Sequence, residues 1–467
     1  MLQVNRILAT DSYKTSHAVQ YPPGTTKIYS YFEARGGEFD AVTFLGIQEI
    51  VKKYLTSPVT AEEVEYGCSR VAGHMGPAIA AKLRARWMMM VERYGGKFPL
   101  SIKAVPEGTT VNHKNVLMTV ENTDPDFFWL TSYVEALLVR VWYPTSVCTH
   151  SREMKKLILK ALHETGTPEL IDFKLHDFGD RGVSSGESAG TGALAHLVNF
   201  KGTDTMRGIE DAREYYSCDM AGFSIPAAEH STITSWGQEH EVDAFRNMLE
   251  QFPDSPVAIV IDSYDDENAC KNLIGGVLRE AILSRKPEHF VVARPDSGEP
   301  NLKIIQVLNW LGEKFGTTTN AKGYKVLPPQ IRVIYGDGID LQEMKRICYS
   351  MKSDRWSMDN TAFGEGGGLL QKVNRDTHKF AYKCSHIVVN GVSRDVFKAP
   401  RGDTGKASKK GRLKLVLDHA WKDKVVGPVL VTVPEAAPGQ DVLREIYRNG
   451  VLLVDETLDT IRERARL

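Results

Sequence analysis

Val257-Ala258-Ile259-Val260-Ile261-Asp262-Ser263, Phe290-Val291-Val292-Ala293-Arg294-Pro295-Asp296-Ser297-Gly298 and Ile331-Arg332-Val333-Ile334-Tyr335-Gly336-Asp337-Gly338 share one pattern. A short apolar run ends in a loop that carries Asp, Arg or Gly, and an amphipathic stripe comes next. Ala269, Leu273, Ile274, Val277, Leu278 and Ile282 fall on one helical face. Ile304, Ile305, Val307, Leu308 and Leu311 make a second stripe, and Leu341, Met344, Ile347, Cys348 and Met351 a third. Asp340 and Glu343, at the head of the third, have capping-box spacing. Strand, polar loop and helix in alternation predict a parallel sheet. Repeated from about residue 170 to 400, the pattern predicts an α/β fold with a β/α barrel, whose chemistry sits at the C-terminal ends of its strands.

The flanks read differently. Residues 1–160 mix strand-like and helical runs, and residues 411–432 look like short strands, so a second, partly β domain built from both chain ends is expected. The expected division is 1–165 for the N-terminal part of that flanking domain, 166–400 for the barrel-like catalytic domain, and 401–467 for the return to the flank. Arg401 to Lys414 holds six basic residues among Gly, Ser, Thr and Asp and reads as a mobile loop.

Composition bounds the function. The 467 residues are 42% hydrophobic and 25% charged, which excludes wholesale disorder, collagen and coiled coil. Lys plus Arg (58) against Asp plus Glu (59) leaves a net charge of −1, so no global field draws nucleic acid or a membrane surface. Any anion site is local. Six scattered cysteines with no Cys-x-x-Cys pair, and an N-terminal stretch without a leader-like apolar core, predict a reduced, cytoplasmic protein.

Polar groups gather just after the apolar runs: Asp177 and Arg181, Asp204, Glu229 and His230, Asp262, Arg294 and Asp296, Asp337, then Gly366 to Gly368. Carboxylates suit Mg²⁺ or ribose hydroxyls, arginines suit phosphate oxygens, and a glycine run lets backbone N–H groups approach a phosphate. A single Asp after a strand is commonly a helix cap; the repetition points to an anion and metal site. No apolar stripe accounts for His230 as packing.

Competing motifs are weaker. Gly182-Val183-Ser184-Ser185-Gly186 and Gly186-Glu187-Ser188-Ala189-Gly190 both fit the G-x-S-x-G elbow of serine hydrolases. Asp180 and Arg181 precede the first of them, where the elbow needs an apolar strand, and Ser184 with Glu187 fits a capping box for a helix through Ala195. No Walker A loop or strand-linked G-x-G-x-x-G is present.

At Asp11-Ser12-Tyr13-Lys14, Tyr21-Pro22-Pro23, Tyr29-Ser30-Tyr31-Phe32-Glu33, His176-Asp177-Phe178-Gly179, Arg181-Gly182-Val183-Ser184-Ser185 and Asn199-Phe200-Lys201-Gly202-Thr203-Asp204-Thr205 the chain resembles the nicotinamide phosphoribosyltransferases, of the type II phosphoribosyltransferase family. The resemblance continues through Pro226-Ala227-Ala228-Glu229-His230-Ser231-Thr232, Arg294 to Gly298, Gly336-Asp337-Gly338, Gly366 to Lys372 and Ser408-Lys409-Lys410-Gly411-Arg412. It implies an irregular β/α barrel in a homodimer. The implied reaction joins nicotinamide to phosphoribosyl pyrophosphate, assisted by Mg²⁺, giving nicotinamide mononucleotide and pyrophosphate.

By that resemblance Phe178 and Tyr13 of the other subunit would sandwich the pyridine, Asp204 would accept from its carboxamide, and Arg181 and Arg294 would surround ring and phosphoribosyl group. Asp262 and Asp296 would serve ribose and metal. Gly336, Asp337, Gly366 and Gly367 would hold ribose and phosphate, and Arg35, Arg375 and Lys383 would bind phosphates. His230, with Glu229 beside it, resembles a histidine phosphorylated by ATP. Two positions depart from the family's animal members: Asp180 replaces an aromatic and Ala381 a phosphate-binding hydroxyl. A nicotinate phosphoribosyltransferase is the near alternative, a binding protein without turnover the plain one, and a serine hydrolase using Ser184 or Ser188 the distant one.

Overall fold

Apolar runs of four or five residues are too short to bury a helix but long enough to cross a sheet covered on both faces. In the computed structural model, which describes residues 4–399, 408–418 and 429–467, they do the latter. Much of the expected mobile loop at 401–414 lies outside the described residues. The chain separates into two units, Met1–Thr149 with Tyr215–Ser217 and Asn374–Ala465, and His150–Glu214 with Cys218–Val373 and Arg466–Leu467. Among the described residues no helix is long and apolar enough to cross a membrane.

The second unit holds β1 (Leu175–Asp177), β2 (Gly202–Thr203), β3 (Val257–Val260), β4 (Val291–Arg294), β5 (Ile331–Tyr335) and β6 (Thr361–Glu365). They pair in parallel in the order β2-β1-β6-β5-β4-β3. One segment meets both edges of this sheet: Phe223 bridges Gly202 of β2, and Ala227 bridges Ala258 of β3. Four backbone bonds make the junctions. Phe223 N donates to Lys201 O (2.8 Å), Thr203 N to Phe223 O (3.1 Å), Ala258 N to Pro226 O (2.9 Å) and Ala228 N to Ala258 O (2.9 Å). The sheet thereby curls into a ring, an irregular barrel. Behind it, Lys174 Nζ donates to Met358 O (2.7 Å), Asp359 O (3.3 Å) and Thr361 O (2.6 Å), tying the start of β1 to the start of β6. Burial pushes that ammonium down to about 7.

Helices α1 (Gly186–His196), α2 (Pro300–Phe315) and α3 (Leu341–Ser353) come after β1, β4 and β5. α2 buries Ile304, Val307, Leu308 and Leu311, and α3 buries Leu341, Met344, Ile347 and Met351, while Ile305 and Cys348 sit at the margins of their stripes. Asp340 Oδ1 caps α3, accepting from Gln342 N (3.0 Å) and Glu343 N (2.9 Å). Glu343 does not close the capping box; it accepts from Asn301 N at the head of α2 (3.1 Å). α1 is capped one residue later than the Ser184 and Glu187 spacing predicts. Ser185 Oγ accepts from Ser188 N (3.1 Å), because Ser184 N is engaged by Gln371 Oε1 (3.2 Å).

A larger departure lies after β3. Ala269–Val277 is π-helical, and this i→i+5 winding keeps Ala269, Ile274, Leu278 and Ile282 buried but turns Val277 out to solvent.

In the first unit seven strands pair antiparallel, in the order Val392–Asp395, Ala381–Val389, Thr25–Glu33, Val116–Asn122, Leu100–Ala104, Arg444–Arg448 and Val451–Leu452. Strands from both chain ends therefore share one sheet. Leu413–Asp418 and Val429–Pro434 pair separately as a hairpin. The unit's core centres on Trp87, edge-on to Phe98, Trp129 and Tyr133 at 5.3 to 5.8 Å.

Removing the cap of α3 isolates a local contribution. Asp340→Ala leaves two N–H groups without their acceptor and is expected to cost about 1 kcal/mol, read as a lower urea midpoint at unchanged slope.

Candidate active site

β1 ends in Asp177, fully buried, whose Oδ1 accepts from Gly179 N (2.8 Å) and Oδ2 from Thr203 Oγ1 (2.9 Å). Those bonds fix the turn that carries Phe178 beside the end of β2. Burial dominates and holds the Asp177 carboxyl above its ordinary range. The Phe178 ring lies on bare backbone: a Cβ built on Gly364 would stand 1.9 Å from its Cε2, and one on Gly336 2.7 Å away. Only glycine at both positions leaves room for the ring. The Arg294 guanidinium lies 6.0 Å from the ring centroid, within cation–π range.

Asp204 stands just after β2. Its Oδ1 accepts from His176 Nε2 (2.9 Å) and from Ser224 Oγ, while its side chain stays 47% exposed. Burial opposes ionisation there. The His176 and Ser224 hydrogen bonds, with the Arg294 charge, nonetheless hold the carboxyl below its ordinary range.

On the other side of the ring, Asp262 stands after β3 and Arg294 ends β4. Asp262 Oδ2 accepts from Asp296 N (2.9 Å) and Oδ1 faces His230 Nε2 at 3.2 Å. Burial opposes its ionisation too, but Ser297, the Asp296 amide and His230 together hold it low. Arg294 Nη2 reaches Asp296 Oδ2 (3.3 Å) and Nη1 the Ala228 carbonyl (3.4 Å). His230 opens the short helix His230–Thr234 and is 45% exposed, so its ring is open to reagents. Glu229 is exposed and accepts from Ser231 Oγ.

The Tyr335 hydroxyl donates to Gly298 O (3.0 Å) and is pushed up to about 12, first by burial and then by the charges of Asp337, Asp296 and Asp262. A negative field thus lies at the ends of β3, β4 and β5. Among the described residues no three His, Cys, Asp or Glu side chains gather to hold a metal ion. Gly366 and Gly367 approach the β1 turn, Gly366 near Phe178 O and Gly367 against Gly182, and Arg181 beside them is exposed.

The remaining expected residues belong to the first unit. Tyr13 is 55% exposed on the 3-10 turn Ser12–Val19. Glu33 accepts from Arg35 Nε (2.8 Å) and from Lys409, leaving Arg35 Nη2 buried without a partner among the described residues. Lys383 is held below the ordinary ammonium range by desolvation and, against the pull of Glu135, by the charges of Arg35, Lys398 and Arg375. Cations crowded in this way fit an anionic ligand.

Four contributors escaped the sequence reading as site residues: His176, Ser224, Ser297 and Gly364. Only Gly364 had a signal, a glycine inside the strand Thr361–Glu365, which marks close approach of another group. The hydrolase motifs do not form an elbow. Ser188 lies inside α1, bonded to Ser185.

Among solved structures the fold is similar to the nicotinate-nucleotide pyrophosphorylase from Pyrococcus furiosus, at TM-score 0.62 and 15% identity over 99% of this chain and 95% of that one. It is also similar to human nicotinic acid phosphoribosyltransferase, at TM-score 0.59 and 15% identity over 98% and 93%. The fold shared with both is an irregular β/α barrel.

Residues 173–450 match the nicotinate phosphoribosyltransferase (NAPRTase) family, and residues 5–102 match the nicotinamide phosphoribosyltransferase N-terminal domain. The nicotinamide phosphoribosyltransferase of Xanthomonas campestris pv. campestris is 48% identical, covering 99% of this chain and 98% of that protein. That of Acinetobacter baylyi is 32% identical, covering 99% and 97%. The chain belongs to the NAPRTase family.

The seat of Phe178 can be tested alone. Gly364→Ala is expected to displace the ring and cost about 1–3 kcal/mol by overpacking, read from urea unfolding and a crystal structure of the variant. A ring that stays in place at unchanged stability would refute the close fit.

Proposed function

We propose that this chain is a nicotinamide phosphoribosyltransferase: it transfers the phosphoribosyl group of phosphoribosyl pyrophosphate to nicotinamide, giving nicotinamide mononucleotide and pyrophosphate in NAD salvage. The family supplies the reaction class. The observation that carries the choice of pyridine is Asp204, held ionised and half-exposed. Both of its protein donors are on Oδ1, so Oδ2 can accept from a carboxamide N–H. Nicotinate has no such donor and would bring a like charge.

Phe178, seated on glycine, supplies one face for the pyridine, and Arg181 and Arg294 lie around the ring and phosphoribosyl group. Tyr13, exposed, is offered to a second copy in a homodimer, where it would close the other face. As the ring nitrogen attacks the anomeric carbon and pyrophosphate leaves, positive charge builds on the ribose; Asp262, Asp296 and Asp337 place negative charge where it is needed. Gly336, Asp337, Gly366 and Gly367 would hold ribose and phosphate, Gly366 and Gly367 through open backbone. Arg35, Arg375 and Lys383 are the cations for phosphate oxygens.

Mg²⁺ fits as an ion borne by the substrate, since it takes one or two carboxylates and completes its shell with phosphates and water. Asp296 is the better ligand of the expected pair, because both oxygens of Asp262 are engaged by protein. Bound there, Mg²⁺ would neutralise charge on the departing pyrophosphate.

ATP acts as a stimulating co-substrate by phosphorylating His230. Asp262 on Nε2 would orient the imidazole for that step, with Glu229 beside it.

Two measurements test this reading. Pyrophosphate release should require nicotinamide and be far weaker with nicotinate, and Asp204→Asn should narrow that preference by about tenfold or more, the scale of one charge-assisted hydrogen bond. An unchanged ratio would mean that the pyridines are told apart elsewhere. For His230→Ala, acid-labile label from γ-labelled ATP should disappear while slow mononucleotide synthesis persists; equal labelling of the variant would exclude this histidine.

A further inference from the structure

The partners of Asp204 carry an inference of their own. Its Oδ1 is shared by two donors on different elements, His176 Nε2 on β1 at 2.9 Å and Ser224 Oγ on the ring-closing segment. A carboxylate can only accept, so Nε2 bears the proton. The imidazole has little freedom: it is 15% exposed and tilted 46° against Phe178 with centroids 5.1 Å apart. On its far side, a Cβ at Gly202 would come within 2.6 Å of Nδ1. Among the described residues Asp204 Oδ2 has no hydrogen-bond partner.

We propose that His176 is a positioning residue that sets the choice between amide and acid, by fixing one oxygen of Asp204 and denying that carboxylate a proton. The inference rests on the reading that Asp204 meets the substituent of the pyridine.

A site with one carboxylate repels an acid ligand only while both stay ionised. Two carboxylates in contact relieve the repulsion by sharing one proton. Donors fixed on Oδ1 favour the ionised form and close that route. Take a donor away, and a proton between Asp204 and a nicotinate carboxylate becomes accessible at lower pH. Arg294, on β4, also acts on Asp204 through its charge. His176 itself faces Asp177 on β1 and His196 on α1. Burial pushes His196 down to about 3, so it stays neutral where the experiment is run, and Asp177 keeps its partners Gly179 and Thr203 in every variant compared.

The test is kcat/KM for nicotinamide and for nicotinate between about pH 5.5 and 8, the window in which imidazole and shared-proton pairs titrate, in the wild type, His176→Ala, His176→Gln and Ser224→Ala. The wild-type preference for the amide should vary little with pH. In both alanine variants the nicotinate-to-nicotinamide ratio should rise by about tenfold or more toward the acid end, the worth of one charge-assisted donor, and fall back as the pH rises and the shared proton leaves. His176→Gln, which restores a donor that does not titrate, should return the ratio toward that of the wild type. A purely structural role would lower both efficiencies together and leave the ratio flat, which overturns the proposal, as does a glutamine variant indistinguishable from alanine. If His176→Ala fails to fold, the exposed Ser224→Ala decides the matter by itself. A wild type that uses neither pyridine overturns the underlying reading, whereas an amide preference with an unmoved ratio in the variants overturns this inference alone.

Discussion

A parallel sheet left open presents two rows of unpaired N–H and C=O groups, and in the second unit both edges are met by the short segment Phe223–Ala228. The junction has chemical effects as well as architectural ones. Ser224 hangs from the segment onto Asp204, the Ala228 carbonyl receives Arg294, and His230, just beyond it, reaches Asp262. The carboxylates and arginine arise at the ends of β2, β3 and β4, and this one stretch with His230 beyond it gives each of them one of its partners. Ring closure and site assembly are a single event.

In the carboxyls of the ring, burial and partners pull in opposite directions. Asp177, Asp204 and Asp262 are all penalised by burial. Asp177 accepts from a backbone amide and the Thr203 hydroxyl, which do not offset that penalty, and its carboxyl is raised. Asp204 and Asp262 each add an imidazole to their donors and are lowered. The same residue type at the ends of β1, β2 and β3 is thus shifted in opposite directions by its surroundings.

The parts of this arrangement that could be read in advance are those with a period or a run. β3, β4 and β5 were visible because four or five consecutive apolar residues end in a polar loop, and α2 and α3 because their stripes repeat at helical spacing. That polar groups would stand after those runs, as Asp262, Arg294, Asp296 and Gly336 do, was equally legible. β1 and β2, of three and two residues, are below the length at which alternation exists. The closing segment makes only single bridges, at Phe223 and Ala227 on either side of Ser224-Ile225-Pro226, so nothing in its composition distinguishes it from a loop. The π-helical turn at Ala269–Val277 changes the winding without changing the residues, which is why Val277 falls outside a face it matches by count. Pairings such as His176 with Asp204, 28 residues apart, are products of the ring and have no local trace.

The interleaved sheet of the first unit carries a consequence for synthesis on the ribosome. Thr25–Glu33, Leu100–Ala104 and Val116–Asn122 emerge early and pair with one another, but their outer neighbours, Ala381–Val389 and Arg444–Arg448, belong to the end of the chain. The first of these is translated about 260 residues after Asn122, a delay of roughly 13–50 s at ~5–20 residues per second. For that interval two strand edges have no native partner while the whole barrel is being made. A nascent chain of this design is exposed to edge-to-edge association with its neighbours on a polysome, and its demand for chaperones should rise as elongation slows.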